Sequence, residues 1–388
     1  MISSWDRATA ELDPPFAIVD LDAFDANLDD LLARAAGLPI RLATKSVRCR
    51  GLIEYVVDRP PGIGRLMCYS LREALWHQEN STSSDILVGY PTVDRAALCG
   101  FDDGARAEIT LMVDSVAHLD LIDDAVGARH PELRVCLDLD AAWRPVPGLH
   151  IGARRSPVRT VDAAVALARA IADRPNFRLV GLMSYESQIA GVPDAIGSRV
   201  RDLAVRWMQR HSAAELAERR GAVVAAVREL ADLEFVNGGG SGSVETTRAD
   251  PSVTEIAAGS ALMGSTLFDG YTRMRPRPAL AYALPVVRRP DDRTATLAGG
   301  GWVASGPAAA SRLPSPIRSD LRLTGTEGAG EVQTPVQGEH VPGLGERVWM
   351  RPAKAGELAE HVRQYHMIRG DRIVWTTETY RGEDRAFG

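Results

Sequence analysis

Eight short apolar runs recur through the first two thirds of the chain, and helical-period segments alternate with them. That alternation limits the fold more than any other feature. The runs lie at 40–44, 65–68, 86–89, 109–113, 133–139, 179–184, 234–236 and 254–257, with helical spacing at 71–78, 116–125, 161–171 and 200–230. Strands that are apolar on both faces belong in a parallel sheet covered by helices. Eight such units across about 235 residues fit a TIM (β/α)8 barrel, and an open doubly wound sheet is the competing α/β arrangement.

After residue 272 proline and glycine punctuate the sequence, as in MRPRPAL, GGGWVASGP and RLPSPIR. Short strand candidates remain at 283–287, 348–350 and 372–375, with a short helix expected at 356–364. The expected division is therefore a barrel over 22–272 and a β-rich domain over 273–388. A formal charge of −6 argues against a nucleic-acid surface, which needs clustered positive charge. No apolar run reaches membrane-spanning length, and the opening MISSWDRATAELDPP lacks a leader's basic and apolar regions, so a cytoplasmic protein is expected. Cys49, Cys68, Cys99 and Cys136 show no CxxC spacing and are read as reduced thiols rather than zinc ligands.

Of 45 basic residues only Lys45 and Lys354 are lysines. Chemistry that needs a primary amine, such as imine formation with a carbonyl, has only those two positions, because a guanidinium stays protonated. Lys45 ends the first barrel run, and barrel active sites lie at the C-terminal strand ends. The glycine-rich segment VNGGGSGS, 236–243, follows the seventh run, and Gly259 with Ser260 follows the eighth. Backbone N–H groups at such loops bind anions, and barrel phosphate sites are built from the loops after the seventh and eighth strands. A lysine and an anion cup at one barrel mouth suggest a phosphorylated carbonyl held as an imine. Pyridoxal 5′-phosphate is the commonest such group, and a phosphosugar aldolase would use similar parts. Tyr185, Glu186, Gln188, Asp138, Asp140, Arg154 and Arg155 supply further polar groups at strand ends.

Taken in order, PFAIVDLDAFDANLDDL, the ATKS lysine, RRSPV, GLMSYES, NGGGSGS and TEIAAGSALMG resemble the fold type III pyridoxal-phosphate enzymes. Within them the chain looks most like the D-threonine aldolase and D-serine dehydratase group of the alanine racemase N-terminal domain superfamily. The resemblance implies that Lys45 is the Schiff-base lysine. It places Arg155, or alternatively Arg154, near the cofactor's phenolic oxygen, Tyr185 beside the cofactor, and Gly239, Gly240, Ser241, Gly242, Gly259 and Ser260 around its phosphate. It further implies that a strand from residues 1–21 joins the β-domain, and that two chains form a homodimer with shared active sites. The implied activity is a lyase on small β-hydroxy D-amino acids, cleaving them to glycine and an aldehyde, with dehydration or, less favoured, racemisation as alternatives. One departure stands out. Metal-dependent members carry a His-x-Cys or His-x-Asp pair in the C-terminal domain, where this chain has Pro352 and Lys354. No metal ligand is assigned, a divalent ion is left open, and Lys354, His361 and His366 become candidates for the substrate hydroxyl proton.

Overall fold

A computed structural model describes residues 1–60 and 63–387. The strands in chain order are β1 (Phe16–Asp20), β2 (Ile40–Ala43), β3 (Arg65–Cys68), β4 (Ile86–Val88), β5 (Ile109–Val113), β6 (Leu133–Asp138), β7 (Phe177–Ser184), β8 (Phe235–Gly238), β9 (Glu255–Ala258), β10 (Leu280–Asp291), β11 (Thr294–Ala298), β12 (Ser315–Pro316), β13 (Arg322–Leu323), β14 (Gln333–Gln337), β15 (Arg347–Arg351), β16 (Gln364–Arg369) and β17 (Arg372–Glu378).

Strands β2 to β9 close into a barrel, all parallel, with β9 returning to pair with β2. All eight expected apolar runs are strands of it. Residues from all eight fill its centre: Ala43, Met67, Leu87, Met112, Cys136, Val180, Met183, Phe235 and Ala257 form one buried cluster, against which Tyr185 packs. One glycine is required by that filling. A Cβ at Gly181 would come 2.2 Å from the Phe235 ring, so β7 gives way to the aromatic side chain there. Caps fix where helices begin on the barrel's outside. Ser70 accepts from Glu73 N ahead of the helix Leu71–Glu79, and Thr160 accepts from Ala163 N ahead of Val161–Ala172.

The chain divides into two compact units, one formed by Leu31–Lys45 and Ile53–Gly259, the other by Met1–Asp30, Ser46–Leu52 and Ser260–Ala386. The second is organised on a sheet ordered β13-β14-β11-β10-β1-β16-β17, with β15 pairing β10 and β12. Within it β1 runs antiparallel to β10 and parallel to β16. Its core gathers Trp5, Phe16, Ile18, Ala281, Ala283, Trp349 and Ile368, with Trp5 and Trp349 edge to face at 5.3 Å. The helix expected at 356–364 is only a 3-10 turn, Glu357–Glu360. The residues after it are drawn into β16 instead, where Tyr365 to Ile368 register with Ala17 to Asp20 and their buried side chains outweigh local helical spacing. Among the described residues no helix is long and apolar enough to cross a membrane.

Candidate active site

Strand β2 ends in a 3-10 turn, Thr44–Ser46, held by the Thr44 hydroxyl donating to the Met67 carbonyl at 3.0 Å. The turn presents Lys45 at the C-terminal end of the barrel. Its Nζ donates to the Tyr90 hydroxyl at 2.7 Å. Tyr90 lies two residues beyond β4. The Arg155 guanidinium stands 5.3 Å from the Tyr90 ring centroid and 5.0 Å from that of Tyr185, the residue after β7. Lys45 Nζ is 5.4 Å and 5.9 Å from the same two rings. Two basic side chains and two phenols thus lie together at the barrel mouth.

The environment pulls the two tyrosines apart. Burial raises Tyr90, but the Lys45 ammonium and Arg155 guanidinium more than offset it and bring its hydroxyl below the ordinary tyrosine range. Burial also raises Tyr185, and there it prevails, despite Arg155. Asp138, at the end of β6, is pushed up to about 7 by burial, against the pull of Arg155 and with the help of Asp114 and Asp140.

The glycine-rich loop leaves β8 with Gly239 in the left-handed region at φ +85°. Glu186 accepts from Gly239 N at 3.0 Å and from the Thr247 hydroxyl, while Arg34 Nη2 donates to the Ser241 carbonyl at 2.9 Å. Gly259 N donates to the buried Ser241 hydroxyl at 3.3 Å, which ties the loops after β8 and β9 together. A Cβ at Gly240 would come 2.9 Å from Ala190 Cβ, so the loop lies closer to its neighbour than any other residue type allows. Gly242 continues this loop, and Ser260 opens the 3-10 turn Ser260–Met263.

Lys45, Tyr185 and Arg155 therefore come together in one unit, as do Gly239, Gly240, Ser241, Gly242 and Gly259. Lys354 belongs to the other unit, where its Nζ donates to the Ser305 hydroxyl at 3.0 Å. His361 there stacks on Trp302 at 5.2 Å, and His366 pairs with the Thr376 hydroxyl; burial lowers both histidines below the ordinary value. Among the described residues the grouping with metal-ligand proximity is elsewhere: Cys68, Glu73 and His77, all buried, bring ligand atoms within 4.8 Å of one another. Glu73 also accepts from Tyr69 N at 2.7 Å, a capping bond at the start of its helix. Sequence reasoning missed Tyr90 altogether; its one available signal was a tyrosine just past an apolar run, in GYP.

A closed parallel barrel with an amine-bearing strand end and a glycine-rich loop at its mouth defines the class: a (β/α)8 barrel protein. The model of the alanine racemase N-terminal domain matches residues 19–266, and the chain belongs to that family. A 3-hydroxy-D-aspartate aldolase of Paracoccus denitrificans is 27% identical over 65% of this chain; the chain spans only 60% of that relative's length. The crystal structure of a D-threonine aldolase from Filomicrobium marinum superposes with a TM-score of 0.80 at 22% identity, covering 96% of both chains. A D-threo-3-hydroxyaspartate dehydratase from Delftia sp. HT23 superposes with a TM-score of 0.73 at 19% identity, covering 95% of this chain and 97% of its own.

Proposed function

We propose that the chain is a pyridoxal 5′-phosphate-dependent lyase acting on small β-hydroxy D-amino acids, with retro-aldol cleavage to glycine and an aldehyde as its reaction. The observation that carries this reading is the Lys45 amine 2.7 Å from a phenol, in a mouth that also holds a guanidinium. The residues fit the cofactor: an amine for its carbonyl, a cation for its phenolic oxygen and a glycine-rich loop whose close packing admits no Cβ. Lys45 would hold the aldehyde carbon, Arg155 the phenolic oxygen, and Gly239, Gly240, Ser241, Gly242, Gly259 and Ser260 the phosphate. Bound there, the cofactor supplies an electron sink for the bond broken at the substrate's Cα.

The chain's own groups supply the rest. Tyr185, raised by burial, stays protonated and would flank the cofactor ring. Lys354 is assigned the substrate's hydroxyl proton because it stands where metal-dependent relatives of the family carry a ligand; a divalent ion is not needed on this reading. We place the protein in the cytoplasm as a homodimer whose sites are shared, with an amino acid as its small-molecule partner.

Incubation with D-threonine, D-serine and D-alanine tests the reaction. Glycine with acetaldehyde is the expected product. Oxo acid with ammonia would assign dehydration instead, the reaction named for the Delftia structure, and appearance of the L-enantiomer would assign racemisation. Activity is expected to survive exhaustive chelation, and loss that manganese or zinc restores would overturn the role given to Lys354.

A further inference from the structure

The bond between Lys45 and Tyr90 joins the ends of two strands that are not neighbours in the barrel, since β3 lies between β2 and β4. We infer that Tyr90 is the proton acceptor of Lys45: its phenolic oxygen takes the ammonium proton and holds it while the amine is neutral. This rests on the reading of Lys45 as the imine-forming lysine and adds to that reading a residue that no motif marks.

The chemistry demands such a group. Only an unprotonated amine attacks a carbonyl, and an ordinary lysine is almost entirely ammonium near neutrality. Tyr90 first gives its phenolic proton to solvent; the Nζ–H bond of the ammonium then breaks, its electron pair stays on nitrogen, and an O–H bond forms on the Tyr90 phenolate. Water, which carries off that first proton, is the only other reactant. The geometry allows it, because 2.7 Å is the separation of a charge-assisted hydrogen bond along which a proton moves without rearrangement. The charges allow it too. Lys45 and Arg155 face the Tyr90 hydroxyl directly and favour its ionised form against burial. Tyr185 faces it across Arg155, while Asp138 bears on Arg155 and Glu186 on Tyr185 at the next remove. Tyr185 cannot take the role, for burial holds its hydroxyl protonated. Tyr90 acts through Lys45 and is a positioning residue for its proton.

The test uses the full-length protein freed of cofactor. Tyrosinate absorbance in the near ultraviolet is titrated against pH for wild type, Tyr90→Phe and Lys45→Ala. Of the eight tyrosines, one is expected to ionise below the others. That early phase should vanish in Tyr90→Phe and move upward in Lys45→Ala. A wild-type titration without it, or an early phase that survives in Tyr90→Phe, overturns the inference. Should Tyr90→Phe fail to fold, an early phase unmoved in Lys45→Ala overturns it equally. Stopped-flow capture of pyridoxal 5′-phosphate, read from its visible band, gives the second arm. The rate should rise with pH along the early tyrosine phase in wild type, and its midpoint should move up in Tyr90→Phe with the final band retained. A superimposable rate profile would mean the hydroxyl only orients the lysine. Failure of the underlying reading looks different: a visible band intact in Lys45→Ala removes the lysine's role whatever the tyrosine does.

Discussion

At the scale of the residue, Lys45 and Asp138 show what a sequence reveals and what it hides. Lys45 was legible because one amine among so many guanidiniums, at a strand end, has few structural explanations. Lys45→Arg keeps the charge and removes the chemistry, so the visible band of bound cofactor should be absent and activity should fall by at least about a thousandfold, measured by spectrum and product assay. Asp138 was visible only as a polar residue; its environment was not. Burial raises its carboxyl to about 7, whereas an unfolded aspartate releases its proton near pH 4. Between those values the native state holds a proton that the unfolded state has lost, so stability is greatest at the acid end of the window and falls as pH rises through it. Asp138→Asn should flatten that decline, which costs up to about 1.4 kcal/mol per pH unit in wild type, in urea melts taken from pH 5 to pH 8. Tyr90 was illegible for a related reason. In sequence it looks like Tyr185, and only the pairing of both β2 and β4 with β3 brings the end of β4 near the end of β2.

The elements divide along the same physical line. Barrel strands are apolar on both faces and short, so composition alone located all eight. The β-rich unit was harder: β11, β14 and β16 each take one partner far along the chain, and Gly356–Gln364 looked helical because Leu358, Ala359 and Val362 repeat at helical spacing. The glycine-rich loop after β8 was legible as a motif, but the need for glycine at β7 was not. Two substitutions separate these roles. In Gly181→Ala the new methyl meets the Phe235 ring inside the filled barrel, so a loss of about 2–3 kcal/mol is expected in chemical denaturation. Gly240→Ala collides with Ala190 at the edge of the mouth instead, and should weaken pyridoxal 5′-phosphate binding about tenfold, by titration of the visible band, while the unliganded protein melts within a few degrees of wild type.

For the barrel as a whole, a buried charge network sits at the end opposite the candidate active site. Arg41, near the start of β2, is fully buried and donates to Glu255 at the start of β9 at 2.6 Å and to Asp85, just before β4, at 2.7 Å. Glu255, also fully buried, takes further bonds from Arg65 at 2.7 Å and Asn237 at 2.8 Å. The network therefore straddles the seam where the last strand meets the first. A buried pair of this kind contributes little net stability beyond what apolar residues would give, because desolvation offsets the attraction. Breaking one side is another matter, since Arg41 then stays charged and buried with only the part-exposed Asp85 as its counter-ion. Glu255→Gln should cost about 3–5 kcal/mol in chemical denaturation. The double variant Arg41→Met, Glu255→Leu removes both charges and should recover most of that loss, although Arg65 and Asn237 then lose a partner. A double variant as unstable as the sum of the single variants would show that the ion cluster stabilises the seam outright rather than selecting which strands meet there.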